Sequence, residues 1–335
     1  MKKYVSNIVL IIILFMALFA LYNKLNNKVD IDLSWINIEN KLFAKDWLLT
    51  DTTKSDINLS FILDWWPWKD WIPSINNPKF VNVDNTLWQI WLNDDTLWIS
   101  VTIWDESKFY PYSILYWHEI VNDEIGDKKI SVTFCPLCWT AIVYDRVLEW
   151  EELLFWVSWK LYESNLLMYD NKTESLWSQS IWKAVVWDYL KTELDLIQSD
   201  LMNFSEFKSN SPNWKVLSIN TWFIRAYWVT PYWDYEENDE VYFFIQNKDD
   251  RLDKKELLYV INYSWESYAF VRNEIIKKWK IEYKVWNDLL DIEYKNWKII
   301  SKVWDEIIPW YIEMFFSWAT QNENSSNIWW IEQTK

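Results

Sequence analysis

The residue this chain has least of is glycine. Gly126 is the single one in 335 residues, beside 31 tryptophans, whereas globular proteins carry roughly 7% glycine. Such a chain lacks the usual supply of residues for the left-handed backbone of hairpin turns and helix ends. The tryptophans stand where those glycines are wanted: Asn296-Trp297 between two alternating runs, Trp65-Trp66-Pro67-Trp68 in a loop, and Trp139 directly after a cysteine. We therefore read most of them as UGA codons of a bacterial lineage that decodes UGA as glycine.

Histidine is as scarce, with His118 alone, and there are two cysteines, Cys135 and Cys138. One imidazole leaves His118 as the only base for a Ser-His-Asp triad. The run Trp156-Val157-Ser158-Trp159-Lys160 misses the nucleophile elbow, because Lys160 holds its last glycine position. The loop Asp64 to Ile72, even with glycine for its tryptophans, misses a P-loop: Leu63 and Asp70 stand where a glycine and a Ser or Thr are required. Positive charge is short too. With 33 basic against 49 acidic residues the formal charge is -16, which argues against nucleic acid or an anionic membrane surface as partner.

What is present is a core. Apolar residues make up 51% of the chain, enough for one large domain or two modest ones. Lys2 and Lys3 precede an apolar run, Ile8 to Tyr22, the pattern of a signal peptide or signal anchor over residues 1–23. Leu18 spoils the cleavage site around Ala20, which favours an uncleaved anchor. The membrane is then a partner through residues 8–22, and the bulk of the chain is extracytoplasmic, where paired cysteines can oxidise. Residues 24–60 read as a polar spacer, 61–320 as a β-rich domain with a subdomain break near 212–240, and 321–335 as a polar tail.

The fold class expected is α+β and β-rich, mainly antiparallel strands and hairpins with a few short helices. Pro111 suits a helix start, and Ile114, Leu115, His118 and Val121 fall at helical spacing, with an end at Asn122-Asp123. A second helix is expected over Met202 to Ser209, and strands at Val216 to Ile219, Val241 to Ile245 and Leu257 to Tyr263. Leu289 to Val303 forms a type I′ hairpin if Trp297 is glycine. Trp98 to Tyr110 and Tyr259 to Phe270 run alike, which points to a duplicated β unit. Asp145 and Arg146, after a buried strand, suggest an internal ion pair.

The chemistry centres on Val132 to Arg146, where two short apolar strands deliver Cys135-Pro136-Leu137-Cys138. As a disulfide staple this pair is weak, about 2 kcal/mol by loop entropy. Three readings stay open. In the first, one cysteine is an attacking thiolate and the other resolves the mixed disulfide, with His118 tuning or shuttling the proton. In the second, Cys135, Cys138 and His118 bind a metal, with a carboxylate such as Glu119 or Asp145 completing a zinc site or Met168 a copper site. In the third, the loop is a structural turn of an envelope module.

Read with glycine at the doubtful positions, Tyr110-Pro111, Trp117 to Asp123, Val132 to Arg146, Phe155 to Trp159, Leu166 to Asp170 and Ser175 to Gln179 resemble the ordered blocks of the bacterial domain of unknown function family numbered 3179. The similarity extends from about Asp64 to Phe316 and includes Thr221-Trp222 and Pro231 to Tyr235. In that pattern Trp117 and Trp177 are true tryptophans, whereas Trp139, Trp156 and Trp159 match glycines. The resemblance implies no particular reaction.

Overall fold

Alternating β-branched and aromatic residues commit 46% of the described residues to strands. The computed structural model describes residues 48–64, 69–82, 95, 97–210, 214–323 and 325–329. The apolar run 8–22, the loop tryptophans Trp65, Trp66 and Trp68, and residues 324 and 330–335 of the C-terminal tail lie outside the described residues. Among the described residues no helix is long and apolar enough to cross a membrane.

A first unit consists of β1 (Leu97–Ile103), β2 (Glu106–Pro111), α1 (Tyr112–His118), β3 (Ile120–Ile125), β4 (Lys128–Cys135) and β5 (Thr140–Asp145). Consecutive strands β1–β2, β3–β4 and β4–β5 pair antiparallel. Helix α1 starts after Pro111, as the fixed φ of proline favours. It ends four residues sooner than the apolar spacing predicts. Glu119 takes φ 56 and ψ −33 while its N–H closes on the Leu115 carbonyl, and from Ile120 onward the ladder to β4 replaces helical bonds. Val121, counted as a helical position, is a strand residue. Sequence spacing alone cannot separate a last helical turn from the first strand residues that follow it.

Residues 146–198 interrupt the unit with a sheet in which β6 (Phe155–Tyr162) and β7 (Asn165–Asp170) join two short strands of the insertion and a third, Ile62–Asp64, from earlier in the chain. Alternation divides its side chains between two cores: Leu166 and Met168 enter the main one, Leu167 and Tyr169 a smaller one with Leu48 and Ile62. The unit then resumes with β8 (Ser199–Asn203), α2 (Phe204–Asn210) and β9 (Trp214–Leu217). Asn203 and Glu206 exchange side-chain to backbone bonds at 2.9 and 2.8 Å, the reciprocal capping that starts α2. Strand β8 pairs antiparallel with β1, and β9 pairs parallel with β2.

The second unit repeats this plan: β10 (Leu257–Tyr263), β11 (Glu266–Val271), α3 (Arg272–Lys278), β12 (Lys280–Val285), β13 (Asp288–Lys295), β14 (Lys298–Val303), β15 (Trp310–Met314), α4 (Phe315–Gln321) and β16 (Ile328–Trp329). From β1 against β10 through β4 against β13, each element has its counterpart's length and starts 160 residues later. Pairing repeats as well, with β15 antiparallel to β10 and β16 parallel to β11. The similarity of Trp98–Tyr110 to Tyr259–Phe270 thus extends over the whole unit. One sheet, ordered β16-β11-β10-β15-β5-β4-β3, joins strands of both units through the pair Ala141–Ile312.

Besides the insertion, the units differ at the turn after the fourth strand. After β13 the chain returns through Asn296 and Trp297, at φ 51 and 65, which is type I′ geometry. After β4 the corresponding turn is two residues longer and carries Pro136, Leu137, Cys138 and Trp139. Between β9 and β10, residues 218–256 form no strand or helix. The strand expected over Val241 to Ile245 is absent because Val241, Phe243 and Ile245 pack on the core without a partner ladder.

Among the described residues, 22 non-glycine residues have positive φ and 13 of them are tryptophan. Trp139 at φ 50 and Trp297 at φ 65 are among these. Trp286, at φ 52, stands 160 residues after Gly126, at φ 60, in the matching turn of the second unit.

Candidate thiol site

The turn between β4 and β5 places Cys135 and Cys138 3.1 Å apart, as free and buried thiols. Each backbone end of the turn is tied down: Phe134 N–H donates to Glu119 O at 2.8 Å, and Met314 N–H to Cys138 O at 2.8 Å. The Tyr235 hydroxyl donates to Leu137 O at 2.6 Å from the irregular segment.

Cys138 accepts hydrogen bonds from two neutral side chains. Thr140 Oγ1 and Asn165 Nδ2 both lie 2.9 Å from its sulfur. The orientation of the Asn165 amide follows from its surroundings, since its Oδ1 accepts the Ser180 N–H at 3.1 Å and its NH2 must then face the sulfur. Gln179 supports the group by accepting from Asn165 at 3.2 Å and donating to Thr133 and to Thr140 O, each at 3.0 Å. Burial pushes the Cys138 thiol up, but the bonds from Cys135, Thr140 and Asn165 outweigh it and hold the group below the usual thiol range. Cys135 goes the other way. Burial, and then its hydrogen bond to Cys138, push it well above that range. Within the pair, Cys138 is thus the sulfur whose anion its surroundings favour, and Cys135 the one that holds its proton more tightly.

Cys135 also lines a cavity of about 20 Å³, with Glu119, Leu137, Lys160 and Tyr232 among its walls. That is room for about one water. Glu119 is 6% exposed and accepts the Tyr232 hydroxyl at 3.1 Å; burial raises its carboxyl to about 8. Lys160 is buried with its ammonium 3.6 Å from Asp64. A second buried carboxyl, Glu313, takes the Ser317 hydroxyl at 2.6 Å and is pushed well above its usual range by burial.

His118 is held elsewhere. Its Nδ1 lies 2.7 Å from Pro73 O, which can only accept, so Nδ1 carries the proton and Nε2 accepts the Tyr227 hydroxyl at 2.7 Å. Both ring nitrogens are thus committed, and burial lowers the imidazole to about 4. Met168 packs in β7 between Val157 and Trp177. Among the described residues no three His, Cys, Asp or Glu side chains group as a metal-ligand set, so the structure brings the two cysteines together without adding His118 to them. Asp145 and Arg146 do not pair with each other: Asp145 takes Lys128 at 2.9 Å and Arg146 takes Glu152 at 2.6 Å. Successive residues of an extended chain point apart.

The residues that sequence reasoning passed over are Thr140, Asn165, Gln179, Tyr235 and Glu313. Thr140, Gln179 and Tyr235 fall within the family-like blocks, and Glu313 is a charge inside an apolar stretch; nothing in the sequence marks Asn165. With the geometry in place, the comparisons give one result: residues 69–310 match the family described as "Protein of unknown function (DUF3179)". The chain belongs to that family, whose fold here is a duplicated β-rich unit with a Cys-x-x-Cys turn in its first copy. No curated protein and no solved structure matches it.

Proposed function

We propose that the chain exchanges thiols and disulfides through Cys138 and Cys135. Cys138 is the attacking thiolate and Cys135 the resolving thiol. The observation that carries this is the orientation of Asn165, whose amide NH2, fixed by the Ser180 N–H, joins the Thr140 hydroxyl in donating to the Cys138 sulfur. Donors gathered on one sulfur stabilise its anion, the form that attacks a disulfide. The pair's 3.1 Å approach suits closure to a bond of about 2.05 Å. The apolar run 8–22 holds the protein to the membrane with the thiol domain extracytoplasmic, where disulfides persist.

The test is thiol trapping on the full chain. Iodoacetamide should label Cys138 before Cys135 at neutral pH, and incubation with graded glutathione mixtures should yield a reversible Cys135–Cys138 disulfide by mass spectrometry. Two unreactive thiols and no disulfide at any poise would sink the proposal and leave the structural turn.

A further inference from the structure

We infer that Glu119 is the proton acceptor for Cys135 in the closing step of this exchange, acting across the small cavity that both residues line. The inference rests on the thiol-exchange function proposed above. Three observations carry it. Glu119 and Cys135 are walls of the same cavity of about 20 Å³, which has room for about one water between its walls. Glu119 is also held at φ 56, ψ −33, a backbone state costly for any residue with a Cβ.

The third observation comes from the second unit, which serves as an internal comparison. Trp279, 160 residues later, occupies the equivalent helix end at φ 65, ψ −28, with its N–H on Ile275 O and its carbonyl on Tyr294 N–H. These are the bonds Glu119 makes to Leu115 and Phe134. Trp279 is 64% exposed, whereas Glu119 is 6% exposed. The fold thus needs this backbone state in both units, yet only the unit with cysteines sets a buried carboxyl there.

The chemistry closes as follows. The Cys138 thiolate attacks one sulfur of a low-molecular-weight disulfide, the S–S bond breaks, and the departing thiolate takes a proton from solvent. The Glu119 carboxylate then accepts the Cys135 proton while the Cys135 sulfur attacks Cys138. The mixed disulfide breaks, and its second thiolate leaves with the proton from Glu119. Two electrons pass from the two cysteines to the small disulfide, which becomes two thiols, and Glu119 ends as it began.

Oxidised glutathione and rapid acid quench on the full chain separate the two steps by mass. In the wild type the closing rate should rise with pH through the Glu119 ionisation near 8. Glu119→Gln keeps the acceptor for Tyr232; it should leave mixed-disulfide formation within twofold, slow closure at least tenfold near pH 8, and move the rise to higher pH, where Cys135 ionises unaided. Tyr232→Phe removes a bond that favours the carboxylate, so the same inflection should move upward. Closure by Glu119→Gln with wild-type rate and pH profile would overturn the role of Glu119 while leaving exchange intact. A wild type that forms neither mixed nor internal disulfide would instead overturn the exchange itself.

Discussion

His118 and Glu119 are adjacent, both buried, and displaced in opposite senses. The imidazole is lowered from 6.5 to about 4 by burial, so the folded state resists its protonation. Stability from this group is present above pH 6.5 and is lost as pH falls from there towards 4. The Glu119 carboxyl, raised from 4.5 to about 8, contributes stability that is full below pH 4.5 and lost as pH rises through 8. A plot of thermal midpoint against pH should therefore fall on both sides, and Glu119→Gln should flatten the alkaline side alone. Thr140→Val tests the thiolate directly. Losing one donor to Cys138 should shift the pH dependence of its alkylation upward at a stability cost of about 1 kcal/mol; an unmoved profile would show that the hydroxyl does not hold the anion. The cysteine pair could be read in the sequence because its spacing is local. Asn165 and Gln179 could not, since they reach Cys138 and Thr133 across 27 and 46 residues only through strand register. The partner of His118 was out of reach for the same reason, as Tyr227 lies 109 residues away in a segment without regular structure.

Strands and hairpins followed from period-two patterning, and the Asn296-Trp297 turn took the geometry its position demands. The helix end at Glu119 did not follow, because its cause is a backbone angle that no apolar pattern records. Repetition supplies a check on the turns. Gly126 and Trp286 occupy equivalent positions with φ 60 and 52, and Trp286 is 68% exposed, so its indole contributes little packing. Trp286→Gly should stabilise the β12–β13 hairpin by about 1 kcal/mol, the lower end of the left-handed cost for a residue with a Cβ, seen as a raised denaturation midpoint. An unchanged or lowered midpoint would mean that the indole contributes contacts outweighing the strain.

On the scale of the whole molecule, composition and backbone raise the same question. We propose that most tryptophans at positive φ are glycine in the protein as its source makes it. Intact mass of that protein should fall below 41.3 kDa by one fixed step per exchanged position; agreement with that mass would remove the proposal. The irregular segment 218–256 is the other feature of this scale. Its Tyr227, Tyr232 and Tyr235 hydroxyls bond His118, Glu119 and Leu137, so it is the cover of the thiol site. Loops of this length without regular structure are uncommon and frequently functional.

The joint between the two units has a mechanical side. Its ladder rests on Ala141–Ile312, and the next bond along it runs from Met314 N–H to Cys138 O, on the residue whose sulfur would change partners. The seam between the units, with its one register pair, is thus stitched to the cysteine turn, and drawing the sulfurs from 3.1 Å to bonding distance would pull on that stitch. Oxidation should then be legible in the backbone of the second unit, as a changed hydrogen-exchange rate at the Met314 amide; equal rates in the reduced and oxidised protein would show that the seam does not feel the chemistry.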